Sequence, residues 1–366
     1  METKHRNLIE RMPVEICILI AEKLSVRDLN MMGSIDRHMR IITMPLLRGC
    51  KLLQILTRQG EISSVDFLER TNYVDIRVQD AHGMTALHYA AMKGYKKVVK
   101  LLTMNSQYRG LLNAPEKRQN DTPLILAARY HDESVCQLLL DTGANVNSRN
   151  AHGETVLFWV VKRQRTNLAR MLLKRGADPN QGVRHGLTLL TLAIMEGCFD
   201  LVKVLLEEGC DVEQPDAQGY RPLVWAVVLD DLAVANLLFA YNTDAATQSN
   251  GKKAERSPLV WAVMKGNVDM VQLLLKHGAD IGQTPTDRRA PLIWAVIHRV
   301  TSVAEVLLQN GARPNEADLN GQTALVWAML NRDKEMIQLL LEYGADPEVI
   351  GRKEWLVSFV PDVQRQ

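Results

Sequence analysis

A step of 33 residues governs most of this chain. Thr122-Pro-Leu-Ile-Leu-Ala-Ala returns as Thr155-Val-Leu-Phe-Trp-Val-Val, as Thr188-Leu-Leu-Thr-Leu-Ala-Ile, as Pro258-Leu-Val-Trp-Ala and as Thr323-Ala-Leu-Val-Trp-Ala. The anchoring leucines stand at 87, 124, 157, 190, 223, 259, 292 and 325, separated by 37, 33, 33, 33, 36, 33 and 33 residues. A fixed period of this length makes a repeat solenoid, because one such unit cannot bury its apolar face alone and must stack on its neighbours. The product of such an array is surface rather than a deep catalytic pocket.

A second landmark keeps the same spacing: Gly143-Ala-Asn, Gly176-Ala-Asp, Gly209-Cys-Asp, Asn242-Thr-Asp, Gly278-Ala-Asp, Gly311-Ala-Arg and Gly344-Ala-Asp. Between the landmarks runs another helical pattern, as in Val268, Val271, Leu274 and Leu275, with Asn267 placed to cap it and Gly278 to stop it. Ser257-Pro258 and Thr122-Pro123 set a capping hydroxyl before a proline at the first helical position, where the missing N–H costs least. Each unit therefore reads turn, helix, short turn, helix, loop, and the fold class is all-α. With Thr-Pro-Leu-x-x-Ala at the first helix and Gly-Ala-Asp after the second, residues 80–349 resemble the ankyrin-repeat family, in about eight units. The histidine usual after Thr-Pro-Leu in that family stands only at His88; its place is taken by Ile125, Phe158, Thr191, Val224, Val260, Ile293 and Val326, so apolar packing is expected to replace the turn's hydrogen bonds.

The chain has 366 residues, a net charge of +2 and 46% hydrophobic residues, enough for a large core without a global pull toward nucleic acid or membrane. The apolar run from Ile16 to Ala21 is too short to span a bilayer and is not laid out as a secretory signal. Five cysteines, at 17, 50, 136, 198 and 210, include no Cys-x-x-Cys pair and read as reduced thiols of a cytoplasmic or nuclear protein.

The first 48 residues differ in character. Ile16, Ile20 and Leu24 recur at helical spacing, Ser25 is placed to cap a following helix, and Leu29, Met32 and Ile35 form another apolar stripe. Met12-Pro13-Val-Glu15-Ile16, then Ile20 to Leu24-Ser25, then Asp28-Leu29, then basic residues at 37 and 40, resemble the F-box, as joined to ankyrin repeats in fungal proteins. That resemblance implies that residues 1–48 bind a Skp-family adaptor, and through it a cullin complex, with contacts from Met12, Pro13, Ile16, Ile20, Leu24 and Leu29. The alternative is a helical cap on the open end of the array.

Residues 49–79 read as a degenerate repeat: setting Gly60 on Gly94 places Leu53 on Leu87, Val65 on Val99 and Leu68 on Leu102. At the other end, residues 350–366 hold Trp355 and Phe359 and are expected to close the last repeat. No Pro/Gly/Ser-rich linker separates these parts, which predicts one continuous rod.

A ladder of aromatic residues carries the most pointed functional expectation. Two positions after each anchoring leucine stand Tyr89, Leu126, Trp159, Leu192, Trp225, Trp261, Trp294 and Trp327. At 3.6 residues per turn this position lies about 200° from the leucine, away from the core face. One turn later come Lys93, Tyr130, Arg163, Glu196, Leu229, Lys265, His298 and Asn331, mostly polar. In the ankyrin family this side of the first helix lines a concave groove. Five tryptophans, each about one-third exposed, would make a patch of about 300 Å² or more, a size at which apolar surface is commonly functional. A target-binding groove of Tyr89, Trp159, Trp225, Trp261, Trp294 and Trp327, flanked by Arg163, Lys265 and His298, is therefore expected; the alternative is that the rings only stiffen the stack.

Signs of catalysis are lacking. His82, His152 and His185 each lie near a turn glycine in separate units, too far apart for donors that must lie within about 2.3 Å of one zinc ion. No Gly-x-Ser-x-Gly, His-Glu-x-x-His or phosphate-cradling glycine loop occurs. The reading is a non-enzyme without cofactor or small-molecule substrate: the substrate receptor of a Skp-cullin-F-box ubiquitin ligase, or an ankyrin scaffold without ubiquitin chemistry.

Overall fold

Several first helices begin where the sequence places an oxygen able to accept the helix's loose N–H groups, while those of Pro222–Val228 and Pro291–Ile297 begin after Arg221 and Ala290 with a proline at the first position. In the computed structural model, Thr155 accepts from Phe158 N, Thr188 from Thr191 N and Ser257 from Val260 N, with Pro258 at the first helical position. Three second helices use the same device: Asp231 accepts from Val234 N, Asn267 from Met270 N and Asp333 from Met336 N. The structure describes residues 60–70, 77–104, 110–130, 133–181, 186–245, 257–282 and 289–350, with Leu52, Ile55 and Asp75. Sequence expectations for residues 1–48, for Leu53, for the basic insertion at 246–256 and for Trp355 and Phe359 fall outside them.

The chain divides into two compact units, residues 1–178 and 179–366. In the amino-terminal unit the helices are α1 (Glu61–Arg70), α2 (Ala86–Lys93), α3 (Lys96–Thr103), α4 (Pro123–Tyr130), α5 (Glu133–Asp141), α6 (Val156–Lys162) and α7 (Thr166–Lys174). First helices α2, α4 and α6 pack side by side, and each lies on the second helix that follows it; α1, α3 and α5 form the other layer. Within residues 49–79, Leu52 and Ile55 are buried, and Gly60 has a left-handed backbone like that of Gly94, which ends α2. Glu61 Oε1 accepts the N–H of Lys97 at 2.8 Å, tying α1 to the start of α3.

The carboxy-terminal unit continues with α8 (Leu189–Met195), α9 (Phe199–Glu207), α10 (Pro222–Val228), α11 (Leu232–Ala240), α12 (Pro258–Lys265), α13 (Val268–Lys276), α14 (Pro291–Ile297), α15 (Thr301–Gln309), α16 (Ala324–Leu330) and α17 (Lys334–Glu342). Its even-numbered helices form one stacked layer and its odd-numbered helices the other. Helices of seven to nine residues are too short to persist alone in water, so stacking holds them. Leu190, Leu205, Leu238, Leu274, Leu307 and Leu340 are fully buried between the layers, each contributing about 1.5–3 kcal/mol.

Loops are laced by a repeated amide clamp. Asn147 donates to Gly176 O and accepts from Asp178 N; Asn180 does the same with Gly209 O and Asp211 N, and Asn315 with Gly344 O and Asp346 N. The replacement of turn hydrogen bonds by apolar packing holds at buried Ile125, Phe158, Val224, Val260 and Ile293 but not at Thr191. There the Thr188 hydroxyl donates to Thr191 Oγ1 at 2.8 Å, because a threonine is small enough to leave its oxygen within reach of the cap.

His88 keeps the older arrangement. Its Nε2–H donates to Ala114 O at 2.9 Å, so Nδ1 is the bare nitrogen and accepts from the N–H and hydroxyl of Thr85. Complete burial lowers its pKa, against the upward pull of the Ala114 carbonyl and of Glu116. A folded value below the unfolded one means that His88 contributes its full stability above about pH 6.5 and loses it as pH falls below that. In a histidine NMR titration, the resonance removed by His88→Phe is expected to stay in its neutral form well below pH 6.5; titration at or above 6.5 would refute the assignment.

Candidate functional site

The ladder residues sit on α2, α6, α10, α12, α14 and α16, one per first helix, as their spacing requires. Their rings are more enclosed than the sequence suggested. Trp159 and Trp294 are only 8% and 7% exposed, while Tyr89, Trp225, Trp261 and Trp327 are half-buried. The assumption of one-third exposure therefore fails at Trp159 and Trp294. Cations from the same and neighbouring repeats cover them: the Arg129 guanidinium lies 4.1 Å over Trp159, with Lys162 Nζ 5.5 Å away. Arg289 lies 5.5 Å from Trp294 and 5.4 Å from Trp327, and His298 stacks on Trp294 at 5.8 Å.

The polar tips of Tyr89, Trp225 and Trp327 are tied to the loops before their helices, a role that the residue-by-residue reading missed. Asp80 Oδ1 accepts the N–H groups of His82 and Met84, which shapes the turn, while its Oδ2 accepts the Tyr89 hydroxyl at 2.6 Å. Asp216 accepts from Gln218 N, Tyr220 N and Trp225 Nε1 at 2.9 Å. Asp318 accepts from Asn320 N, Gln322 N and Trp327 Nε1 at 3.3 Å. The signal was in the sequence: an acid stands nine residues before the aromatic each time. Burial pushes the Asp80 and Asp318 carboxyls up, but these hydrogen bonds outweigh it and hold both below the usual carboxylate range. Burial and the Asp80 bond push the Tyr89 phenol up to about 12.

At Trp159 the same device fails for a chemical reason. Nine residues before Trp159 stands Asn150, whose Oδ1 accepts from His152 N and Glu154 N. Its other arm is an NH₂, which donates to Asp121 Oδ1 and Glu154 Oε2 and cannot accept an indole proton. Among the described residues, Trp159 Nε1 is buried without a hydrogen-bond partner. Asn150 instead joins a buried network in which Arg129 Nη1 donates to Asp121 Oδ2 and Gln119 Oε1, each at 2.7 Å.

Solvent meets these helices at the turn end, one turn beyond the rings. Arg163, Lys265 and His298 are exposed there, as are Lys93, Tyr130, Glu196 and Leu229. In the carboxy-terminal unit the neighbouring Met195 and Leu330 are 43% and 62% exposed, beside Leu229 at 46%. The structure thus separates two roles that the sequence reading had merged: enclosed rings, and an accessible row at the helix ends. Met12, Pro13, Ile16, Ile20, Leu24 and Leu29 lie outside the described residues. Among the described residues no three His, Cys, Asp or Glu side chains converge on a metal position, and His82 and His152 are exposed turn residues. No described helix is long and apolar enough to cross a membrane, and Cys136 and Cys210 are buried.

A family model described as ankyrin repeats in three copies matches residues 107–183, 180–249, 231–318 and 259–350, and a single ankyrin-repeat model matches residues 82–108. Residues 1–81 lie outside these matches. The chain is 36% identical over 85 residues to the B-cell lymphoma 3 protein homolog of Mus musculus, covering 23% of this chain and 18% of that protein. It is 31% identical over 136 residues to the neurogenic locus notch homolog protein 2 of Homo sapiens, covering 34% of this chain and 5% of that one. It is 27% identical over 199 residues to the L-asparaginase of Dirofilaria immitis, covering 45% of this chain and 33% of that one. The chain thus spans a third or less of the length of each of these relatives.

Proposed function

Because the chain belongs to the ankyrin-repeat family, whose fold serves protein–protein interaction, we propose that it is a non-catalytic recognition subunit. One observation carries this reading: within each unit the stacked first helices present their turn ends to solvent, so that each unit offers accessible side chains over a packed scaffold. Rings pinned to their loops suit such a role, since a surface already ordered loses little freedom on binding. The match to the L-asparaginase covers only a third of that protein and brings no activity to this one.

In the finer form of the proposal the chain is the substrate receptor of a Skp-cullin-F-box ubiquitin ligase. Residues 1–48 hold the adaptor through Met12, Pro13, Ile16, Ile20, Leu24 and Leu29, and residues 80–349 hold the target. The order of Met12-Pro13, Ile16, Leu24-Ser25 and Asp28-Leu29 supports this reading. The chain then contributes proximity, holding a target near catalytic groups supplied by its partners. A second reading, an ankyrin scaffold with residues 8–47 as a mere cap, is favoured by family matches that start at residue 82.

Co-purification of the full chain with a Skp-family adaptor separates the two. The wild-type chain is expected to bring the adaptor down, and Pro13→Ala/Ile16→Asp to lose it while retaining the wild-type cooperative unfolding of the repeats. Absence of a complex from the folded wild-type chain would leave the scaffold reading.

A further inference from the structure

The amino-terminal unit carries a charge pattern that the repeat architecture does not require. α2 ends on Lys93 and α6 on Lys162, followed by Arg163, all three exposed. Cations in a last helical turn are ordinary, since they face the negative end of the helix dipole. Two of the three second helices break that rule, while α5 keeps it by opening on Glu133. α3 opens on exposed Lys96 and Lys97, and α7 is preceded by Arg165, so positive charge sits at helix starts that favour negative charge. In the carboxy-terminal unit three of the five equivalent starts carry Asp231, Asn267 and Asp333, which cap their helices, and the other two carry the uncharged Cys198 and Val300; Lys334, after Asp333, is the one cation at these starts. Cations at the starts of α3 and α7 run against local electrostatics, and departures of this kind collect where function demands them.

These charges share one place. A short link joins each first helix to its second, so Lys93, Lys96 and Lys97 lie at one turn end and Lys162 and Arg163 at another. Tyr130, 49% exposed, ends the helix packed between them. The described carboxylates at these ends are Glu61, committed to the N–H of Lys97, and Glu133 at the start of α5. Helix axes about 8–10 Å apart put roughly 20 Å between the ends of α2 and α6, the reach of about six residues of extended chain.

We infer that the turn ends of α2, α4 and α6 dock an extended acidic protein segment that lays an aromatic or apolar side chain on Tyr130. The inference rests on the recognition role proposed above and specifies its ligand: carboxylates answer the lysines and Arg163, and the phenol ring supplies the single apolar contact. Arg129, held by Asp121 and Gln119 and lying over Trp159, keeps the α4 end rigid beneath Tyr130.

The test uses the full chain and a fluorescein-labelled glutamate-rich peptide with a central tryptophan, read by anisotropy. Binding is expected to weaken as salt rises from about 50 to about 300 mM. Lys93→Glu/Lys162→Glu/Arg163→Glu is expected to bind about tenfold or more weakly, whereas reversal of the exposed Lys203, Lys276 and Lys334 changes binding less than about twofold. Tyr130→Ser should weaken the tryptophan peptide but not an all-glutamate one, which separates docking from diffuse attraction. If the triple reversal disturbs folding, glutamine at the same three positions gives the same comparison. Equal losses from both reversals, or displacement of the peptide by a single-stranded oligonucleotide of equal charge at equal concentration, would overturn the proposal. Adaptor co-purification is indifferent to these variants, so the two readings fail independently.

Discussion

Exchanging Arg129 for methionine lowers the stability of the amino-terminal unit by about 3–5 kcal/mol, the cost of stranding a buried carboxylate. Asp121 is 1% exposed, and Arg129 is its cationic partner at 2.7 Å. Burial already raises the Asp121 pKa; the Asn150 hydrogen bond and the Arg129 charge oppose that rise, and Glu116 and Glu154 add to it. Methionine keeps a covering chain over Trp159 but removes the charge, so Asp121 is driven further toward its protonated form. A carboxyl whose folded pKa lies above its unfolded one contributes stability below the unfolded value and loses it as pH rises through the folded value. The defect should therefore be smaller at pH 5 than at pH 7.5. Hydrogen exchange followed by mass spectrometry over residues 110–160 measures it, and a loss below about 1 kcal/mol, or one independent of pH, would show that the pair is not the keystone of this network.

Asp318→Ala is expected to cost the carboxy-terminal unit about 2–3 kcal/mol, because one buried carboxylate serves Asn320 N, Gln322 N and Trp327 Nε1, with Arg289 Nε 3.6 Å away. Asp318→Asn divides that loss. Its carbonyl oxygen still accepts the two backbone N–H groups, but its NH₂ cannot accept the indole, so about 1 kcal/mol should go. Urea unfolding of the full chain, with exchange over residues 310–345 to locate the change, checks both. Equal losses for alanine and asparagine would mean that the indole tie, and not the turn, holds this finger.

The architecture was legible because it is local and repeated. Capping residues such as Asn267 and Ser257, and the seat of each tryptophan, follow from period and helical geometry alone. Ring exposure was not legible, since the groups covering Trp159 and Trp327 come from thirty or more residues earlier: Arg129 in one case and Arg289 in the other. A helical wheel assigns a face but does not show what a neighbouring repeat lays upon it. Thr191 misled for the opposite reason, since its methyl passes for apolar packing while its oxygen finds the Thr188 hydroxyl. The nine-residue interval between acid and aromatic was readable, but it crosses from loop into helix, where neither period applies.

Near-copies set end to end invite a particular error, in which a repeat stacks against the wrong neighbour during folding. The amide clamps of Asn147, Asn180 and Asn315 give no protection, because each would fit another's place equally well. Other links are private. Asn150 reaches Asp121, His88 reaches the Ala114 carbonyl, Asn331 reaches the Val296 carbonyl, and Arg289 lies between Trp294 and Trp327. A slip of one repeat would preserve the hydrophobic stacking and break every one of these. The uneven polar chemistry of the loops thus acts as a set of proof marks, giving the correct order of repeats an advantage that leucine packing alone cannot supply.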